Sequence, residues 1–121
     1  MGKKMDYGLG GMILTYNSDG KQTAYLGATD DGGGGYLKTY NSDGKQTAYL
    51  GTVDGGGHLA TNNSDGKQTA YLGTVDGGGH LATYNKHKVE TGYFGTNKDN
   101  DGMIYLNDRY GDIGWGETGK K

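Results

Sequence analysis

Apolar and polar residues alternate in short runs along this chain, and no stretch has apolar residues at the spacing of three or four that is typical of a helix. In the run KQTAYLG at residues 21–27, Ala24 and Leu26 fall on one side of an extended strand, while Thr23 and Tyr25 fall on the other. Frequent glycine disfavours helices because it loses more backbone entropy on folding than any other residue. The sequence therefore predicts an all-β fold.

The same alternating segment recurs along the chain. The string NSDGKQTAYLG begins at Asn17, Asn41 and Asn63, and a diverged copy, NKHKVETGYFG, begins at Asn85. The resulting period of about 22 residues indicates a tandem repeat, and the identity of the first three copies indicates recent duplication or an engineered consensus. We expect residues 1–10 to be a lead-in, residues 11–101 to form four β-repeats, and residues 102–121 to form a degenerate capping repeat with Ile113 and Trp115.

Each repeat predicts two strands separated by two kinds of turn. The second strand is KQTAYLG, and the turn before it places Gly20, Gly44 and Gly66 where a left-handed backbone is needed. The run Asp-Gly-Gly-Gly is expected to break the chain before the next repeat. The predicted first strands are Ile13–Asn17, Leu37–Asn41, Leu59–Asn63 and Leu81–Asn85.

Alternation assigns the repeated side chains to two faces. The predicted structural core is a narrow apolar stripe: Leu26, Leu37, Leu50, Leu59, Leu72, Leu81 and Phe94. The opposite face carries Thr23, Thr47, Thr69 and Thr91 together with a ladder of Tyr25, Tyr49, Tyr71 and Tyr93. A stripe this thin cannot fill a two-layer sandwich within one chain.

Composition shows that this shortage of aliphatic residues is general. Leu, Ile, Val and Phe make up only 16 of 121 residues, below the ~20% at which a chain starts to resemble a disordered one. A net charge of −2 and 11 tyrosines do not fit a disordered chain either. We expect tandem repeats forming a β-helix or solenoid-like rod, with an intertwined homotrimer ahead of a single-chain solenoid, and a single-layer sheet third.

The units N-S-D-G-K-Q-T-A-Y-L-G-T-V-D-G-G-G-H-L-A-T-Y, spanning roughly residues 11–116, resemble the shaft repeats of phage tail fibres and tail spikes. That resemblance implies a homotrimeric β-helical rod with a structural, non-enzymatic role. It also implies a virion or extracellular location and contact with surface glycans through flanking domains.

Residues able to carry chemistry are few. His58 and His80 hold equivalent positions, and around a trimer axis each could form a metal-binding triplet, although alternation favours a solvent-facing position away from the leucines. Asp30, Asp31, Asp54 and Asp76 are expected to be turn residues, and the NKDND run at residues 97–101 is either a weak cation site or a solvated loop. Serine occurs only in turns away from the repeated histidines, so we expect no enzymatic activity, and we expect no cofactor.

Partners are constrained by charge and by the aromatic residues. The chain has no basic patch for nucleic acid, and its first 17 residues hold no apolar run long enough for a signal peptide or a membrane span. The tyrosine ladder is a candidate ligand surface, which makes a carbohydrate- or choline-binding aromatic module the alternative function. Mutual stacking of the tyrosines along the sheet is the favoured interpretation.

Overall fold

The chain forms one ten-stranded antiparallel sheet in the computed structural model, which describes residues 11–29 and 34–120. Each strand pairs with its neighbours in sequence, in the order β1 to β10. The all-β prediction is confirmed, and no second layer formed by the described residues covers either face. The strands are β1 Met12–Tyr16, β2 Gln22–Ala28, β3 Gly35–Tyr40, β4 Gln46–Val53, β5 Gly56–Asn62, β6 Gln68–Val75, β7 Gly78–Tyr84, β8 Glu90–Thr96, β9 Gly102–Asn107 and β10 Ile113–Thr118.

The predicted single-chain solenoid is wrong, because the sheet is open and does not coil. Short hairpin turns reverse the chain after almost every strand. Between β4 and β5 the turn is only Asp54–Gly55, with φ of 48° and 81°, a pair of left-handed residues that favours a tight hairpin. The expected break over Asp-Gly-Gly-Gly is therefore too long, since β5 already begins at Gly56.

The NSDG turns lie at the other ends of the strands, across the sheet from the Asp54–Gly55 turn. Gly20, Gly44 and Gly66 have φ between 76° and 80°, which confirms the predicted left-handed backbone. In the second of these turns Asn41 Oδ1 accepts hydrogen bonds from the backbone N–H groups of Asp43 and Lys45, both at 3.0 Å. The leading asparagine thus holds the loop closed with its own side chain.

A β-bulge follows each of these turns and changes the predicted faces. Thr39 pairs with Ala48, but the next pair is Tyr40 with Gln46, so Thr47 is the extra residue. The Thr47 hydroxyl lies 2.8 Å from the Thr39 hydroxyl, on the side of the sheet that also carries the leucines. The placement of Thr23, Thr47, Thr69 and Thr91 beside the tyrosines is therefore wrong.

The predicted core residues form one continuous row across the sheet. Leu50 pairs with Leu37 on one side and with Leu59 on the other, and the same register continues through every strand from β1 to β9. We call this side of the sheet the Leu face and the row itself the Leu row. The Leu row consists of Ile13, Leu26, Leu37, Leu50, Leu59, Leu72, Leu81, Phe94 and Ile104.

The Leu row is not a buried core within a single chain. Leu50 is 53% exposed and Phe94 is 66% exposed, whereas the buried residues in the described part of the chain are Ala60, Ala82 and His80. Burial of the row therefore requires a surface other than the described residues, and its role as a core stays a prediction.

The predicted capping repeat continues the same sheet as its last hairpin. Trp115 of β10 pairs with Leu106 of β9, and Ile113 pairs with Asn107. All of β10 is exposed, because it is an edge strand. The Leu row ends here at a charged residue, since Glu117 pairs with Ile104. The expected lead-in at residues 1–10, together with Asp30 and Asp31, lies outside the described residues.

Candidate functional site

The side of the sheet opposite the leucines, the Tyr face, carries a continuous stack of aromatic rings. Adjacent ring centroids lie 4.5–5.6 Å apart, and adjacent ring planes differ by 4–28°. We call this stack the ring ladder; in order along the sheet it consists of Tyr25, Tyr36, Tyr49, His58, Tyr71, His80, Tyr93 and Tyr105.

Glycine makes room for the ladder. Each consensus tyrosine lies two residues before a glycine of the same strand, and the rings of Tyr25 and Tyr71 lean over Gly27 and Gly73. A Cβ on Gly27 would come within 2.7 Å of the Tyr25 hydroxyl oxygen. The hydroxyl group then reaches the backbone at the end of the strand: Tyr49 donates to the Thr52 carbonyl at 3.3 Å, and Tyr93 donates to the Thr96 carbonyl at 3.0 Å.

The stacking limits what the predicted ligand surface can bind. Tyr49, Tyr71 and Tyr93 each have a neighbouring ring on both faces, and Tyr25, at the end of the ladder, has one on a single face. An aromatic cage for a quaternary ammonium group needs free ring faces directed at the ligand. The favoured interpretation of the tyrosines as a stacked ladder agrees with this geometry.

Two histidines replace tyrosine within the ladder. His58 stacks on Tyr49 at 4.5 Å and His80 on Tyr71 at 4.9 Å. Both lie off the Leu face, as alternation predicts, but between neighbouring rings His58 is half-buried and His80 is buried. The Nδ1 atoms of both imidazoles are buried and have no hydrogen-bond partner. Burial lowers the pKa of His58 because desolvation disfavours the charged imidazolium.

A metal site at these histidines has no support. Residues 11–29 and 34–120 contain no group of three His, Cys, Asp or Glu side chains that could hold a metal ion. Both histidines lie on the face opposite the Leu row, so an axis lined by leucines cannot bring their imidazoles together.

The NKDND segment is another hairpin turn. Asn97 Oδ1 accepts hydrogen bonds from the backbone N–H groups of Asp99 at 2.9 Å and Asp101 at 3.0 Å, as Asn41 does in its own turn. Asn100 takes the left-handed position with φ of 67°. Asp54 and Asp76 are also turn residues, as expected.

Charged groups occur at both ends of the ladder. The Lys38 ammonium lies 4.9 Å from the ring centroid of Tyr36 and 5.8 Å from that of Tyr49, within reach of a cation–π interaction. At the far end, Tyr105 donates a hydrogen bond to the Glu90 carboxylate. Burial, followed by that hydrogen bond and the charge of Glu90, raises the pKa of Tyr105.

Another row of residues on the Tyr face borders the ladder, on the side of the NSDG turns. It contains Tyr16, Tyr40 and Tyr84, which lie beside the ladder. Each pairs with a polar residue on the next strand, Gln22, Gln46 and Glu90 respectively. At the corresponding position of β5 the row holds Asn62.

Sequence reasoning missed four members of the ladder. Tyr36, His58 and His80 occupy the same place in successive repeats, directly before a leucine of the Leu row, and this shared position was the available signal. Tyr105 lies outside the consensus, and only its pairing with Tyr93 identifies it.

No helix in the described residues is long and apolar enough to cross a membrane. No protein-family model matches the chain, and no curated protein matches it.

Proposed function

We propose that this chain is a structural, non-enzymatic spacer that assembles through its Leu face into a homotrimeric rod, like the shafts of phage tail fibres and tail spikes. The observation that carries the proposal is the exposed Leu row. In strands β1 to β8 no described residue of the Leu face is charged, and a continuous uncharged apolar surface of this length is typical of an interaction site.

The sizes of the side chains across the Leu face, large at the centre of each strand and small on either side, favour three chains over two. In β5 the central Leu59 is flanked by Gly57 and Thr61, and in β4 Leu50 is flanked by Ala48 and Thr52. Two sheets packed face to face stay about 10 Å apart across their whole width. The small flanking residues would then leave gaps beside each leucine.

Three sheets around one axis fit the same profile. Five strand residues span about 17 Å, and the sides of an equilateral triangle of that width lie about 5 Å from its centre, half the usual spacing between packed sheets. The leucines would meet at the axis, while the small residues would lie at the corners, where neighbouring sheets approach most closely.

The proposed trimer consists of three separate ten-stranded sheets, one from each chain. An intertwined trimer would pair strands of different chains, whereas β1 to β10 pair within one chain. Stacking ten strands gives a rod segment about 43 Å long, from the usual strand separation. The Tyr face would lie on the outside.

The alternative, a carbohydrate- or choline-binding module, gains no support from the ladder, because its rings stack on one another. A structural role accounts for the repeated residues more directly. The asparagines close turns, the glycines accommodate rings, and the leucines supply the surface for association.

Sedimentation equilibrium tests the trimer. We expect a mass of three times 12.8 kDa. Leu59→Glu, which places a charge in the Leu row, should give the mass of one chain, and Gln68→Glu, on the Tyr face of the next strand, should keep the trimer. A wild-type mass of one or two chains would overturn the proposal, and so would an intact trimer in Leu59→Glu.

A further inference from the structure

Strands β5 and β7 differ at a single position. Both have the sequence GGHLAT, followed by Asn62 in β5 and Tyr84 in β7. The registers agree as well, because Asn62 pairs with Gln68 as Tyr84 pairs with Glu90. Asn62 therefore occupies a position at which an otherwise identical strand carries a phenol.

A cleft of about 440 Å³ lies at this position on the Tyr face. Gln46 of β4 and Gln68 of β6 border it from the two neighbouring strands. Ala60, which is only 6% exposed, supplies an apolar end, and Tyr84 also borders the cleft. This size lies within the range of small-molecule sites.

The Asn62 side chain does not fill the cleft. Its Nδ2 atom donates a hydrogen bond to the Gln46 backbone carbonyl at 3.1 Å, which draws the amide against the neighbouring strand. The space that the Tyr84 ring takes in β7 is therefore open at the equivalent place in β5. It lies between two glutamine side chains, which can each donate and accept hydrogen bonds.

We propose that this cleft is a binding site for one phenolic ring. Tyr84 is the template for the bound state, since it holds in β7 the position that Asn62 holds in β5 and borders the cleft together with Gln68. For a ring bound over Asn62, Gln46 takes the place that Gln68 has for Tyr84. The ring lies towards Ala60, which is two residues before Asn62 in β5 as Ala82 is two residues before Tyr84 in β7; Ala60 is 6% exposed and Ala82 is fully buried.

The site does not depend on the proposed trimer, because it lies on the face opposite the Leu row. Chemical-shift mapping by NMR with 4-methylphenol tests it on the full chain. In the wild type we expect saturable shifts confined to the amide groups of Gln46, Ala60, Asn62 and Gln68. 4-Methylcyclohexanol, of similar size but not aromatic, should give shifts at least tenfold smaller at the same concentration.

Two variants supply matched controls taken from the chain itself. Asn62→Tyr reproduces β7 and should abolish the shifts while raising the melting temperature. Tyr84→Asn gives β7 the sequence of β5 and should create a second site, bordered by Gln68 and Glu90 and reported by new shifts at Ala82. Retained shifts in Asn62→Tyr, or no second site in a folded Tyr84→Asn variant, would overturn the proposal.

A second arm distinguishes the sources of the phenol. N-acetyl-L-tyrosinamide carries the same ring on a peptide backbone. If it shifts the same amide groups, the site accepts a tyrosine residue of a peptide, and if only 4-methylphenol does, the site takes a free phenol. If neither compound shifts these groups, the site does not exist.

Discussion

The ring of Tyr25 lies over Gly27, two residues further along the same strand, so closely that a Cβ on Gly27 would fall 2.9 Å from two of the ring carbons. The relationship recurs in β6, where a Cβ on Gly73 would meet the Tyr71 hydroxyl oxygen and the His58 Cβ, each at 2.7 Å. Glycine normally weakens a strand because it has no side chain to pack. Here the neighbouring ring supplies the missing contact, a compensation also used in designed sheets.

Gly73→Ala should therefore destabilise the protein. The added methyl group overlaps the Tyr71 ring and the side chain of His58, and overpacking of this kind costs about 1–3 kcal/mol. Urea unfolding at fixed protein concentration measures the change. Gly114→Ala in β10 is the control, since its Cβ would make only an ordinary van der Waals contact, at 3.6 Å from the Leu106 carbonyl oxygen. Equal losses in the two variants would contradict the role of the glycine in accommodating the ring.

The stability of the sheet should fall in mild acid because of His58. Burial lowers its pKa in the folded chain, so the unfolded chain binds the proton at a higher pH than the folded chain. Stability is then fully present above a pH of about 6.5 and is lost as the pH falls towards the lowered value. The Lys38 ammonium, above the rings of Tyr36 and Tyr49, adds positive charge to the same face.

The free energy of unfolding between about pH 8 and about pH 5.5 tests this, because His titrates in that range and carboxylates largely do not. His58→Tyr is the matched variant, since Tyr36 holds the equivalent position in the first repeat. It should keep the ladder and reduce the slope of stability against pH. An unchanged slope in His58→Tyr would exclude His58 as the cause.

The Asn-led turns should depend on their first residue. Asn41→Ala removes the acceptor for the backbone N–H groups of Asp43 and Lys45 and the donor to the Ser64 carbonyl. We expect a loss of about 1–2 kcal/mol in unfolding free energy, the usual cost of such hydrogen bonds. Ser42→Ala is the control, because Ser42 contributes its backbone carbonyl, which accepts from the Lys21 ammonium. Similar losses in both would contradict the importance of the asparagine side chain.

The elements that sequence predicts well here are those set by local rules. Alternation identifies the strands and places Leu50 and Leu59 on the same face, since the side chains of a strand alternate with a period of two. The left-handed Gly20, Gly44 and Gly66 follow from the steric freedom of glycine in turns.

The features that sequence missed depend on pairing between strands. A bulge at Thr47 shifts the faces by one residue, and simple alternation cannot represent an extra residue. The place of His58 in the ladder follows from rings on two other strands. The open sheet arises because hairpin turns such as Asp54–Gly55 reverse the chain, whereas a repeat period alone fits a coil equally well.

Deleting residues 102–121 should yield mixed or aggregated oligomers. The deletion removes β9 and β10, so β8 becomes an edge strand, Phe94 loses its neighbour Ile104, and Tyr93 loses its stacking partner Tyr105. The remaining repeats are nearly identical, so associating chains can slip past one another by one repeat, and a distinctive end is what fixes the register. Deleting residues 52–73 instead removes one complete 22-residue repeat and keeps that end. This second variant should give a single oligomer, shorter by two strands, and size-exclusion chromatography with light scattering distinguishes the two results. A uniform oligomer after deletion of residues 102–121 would exclude the terminal hairpin as the element that sets the register.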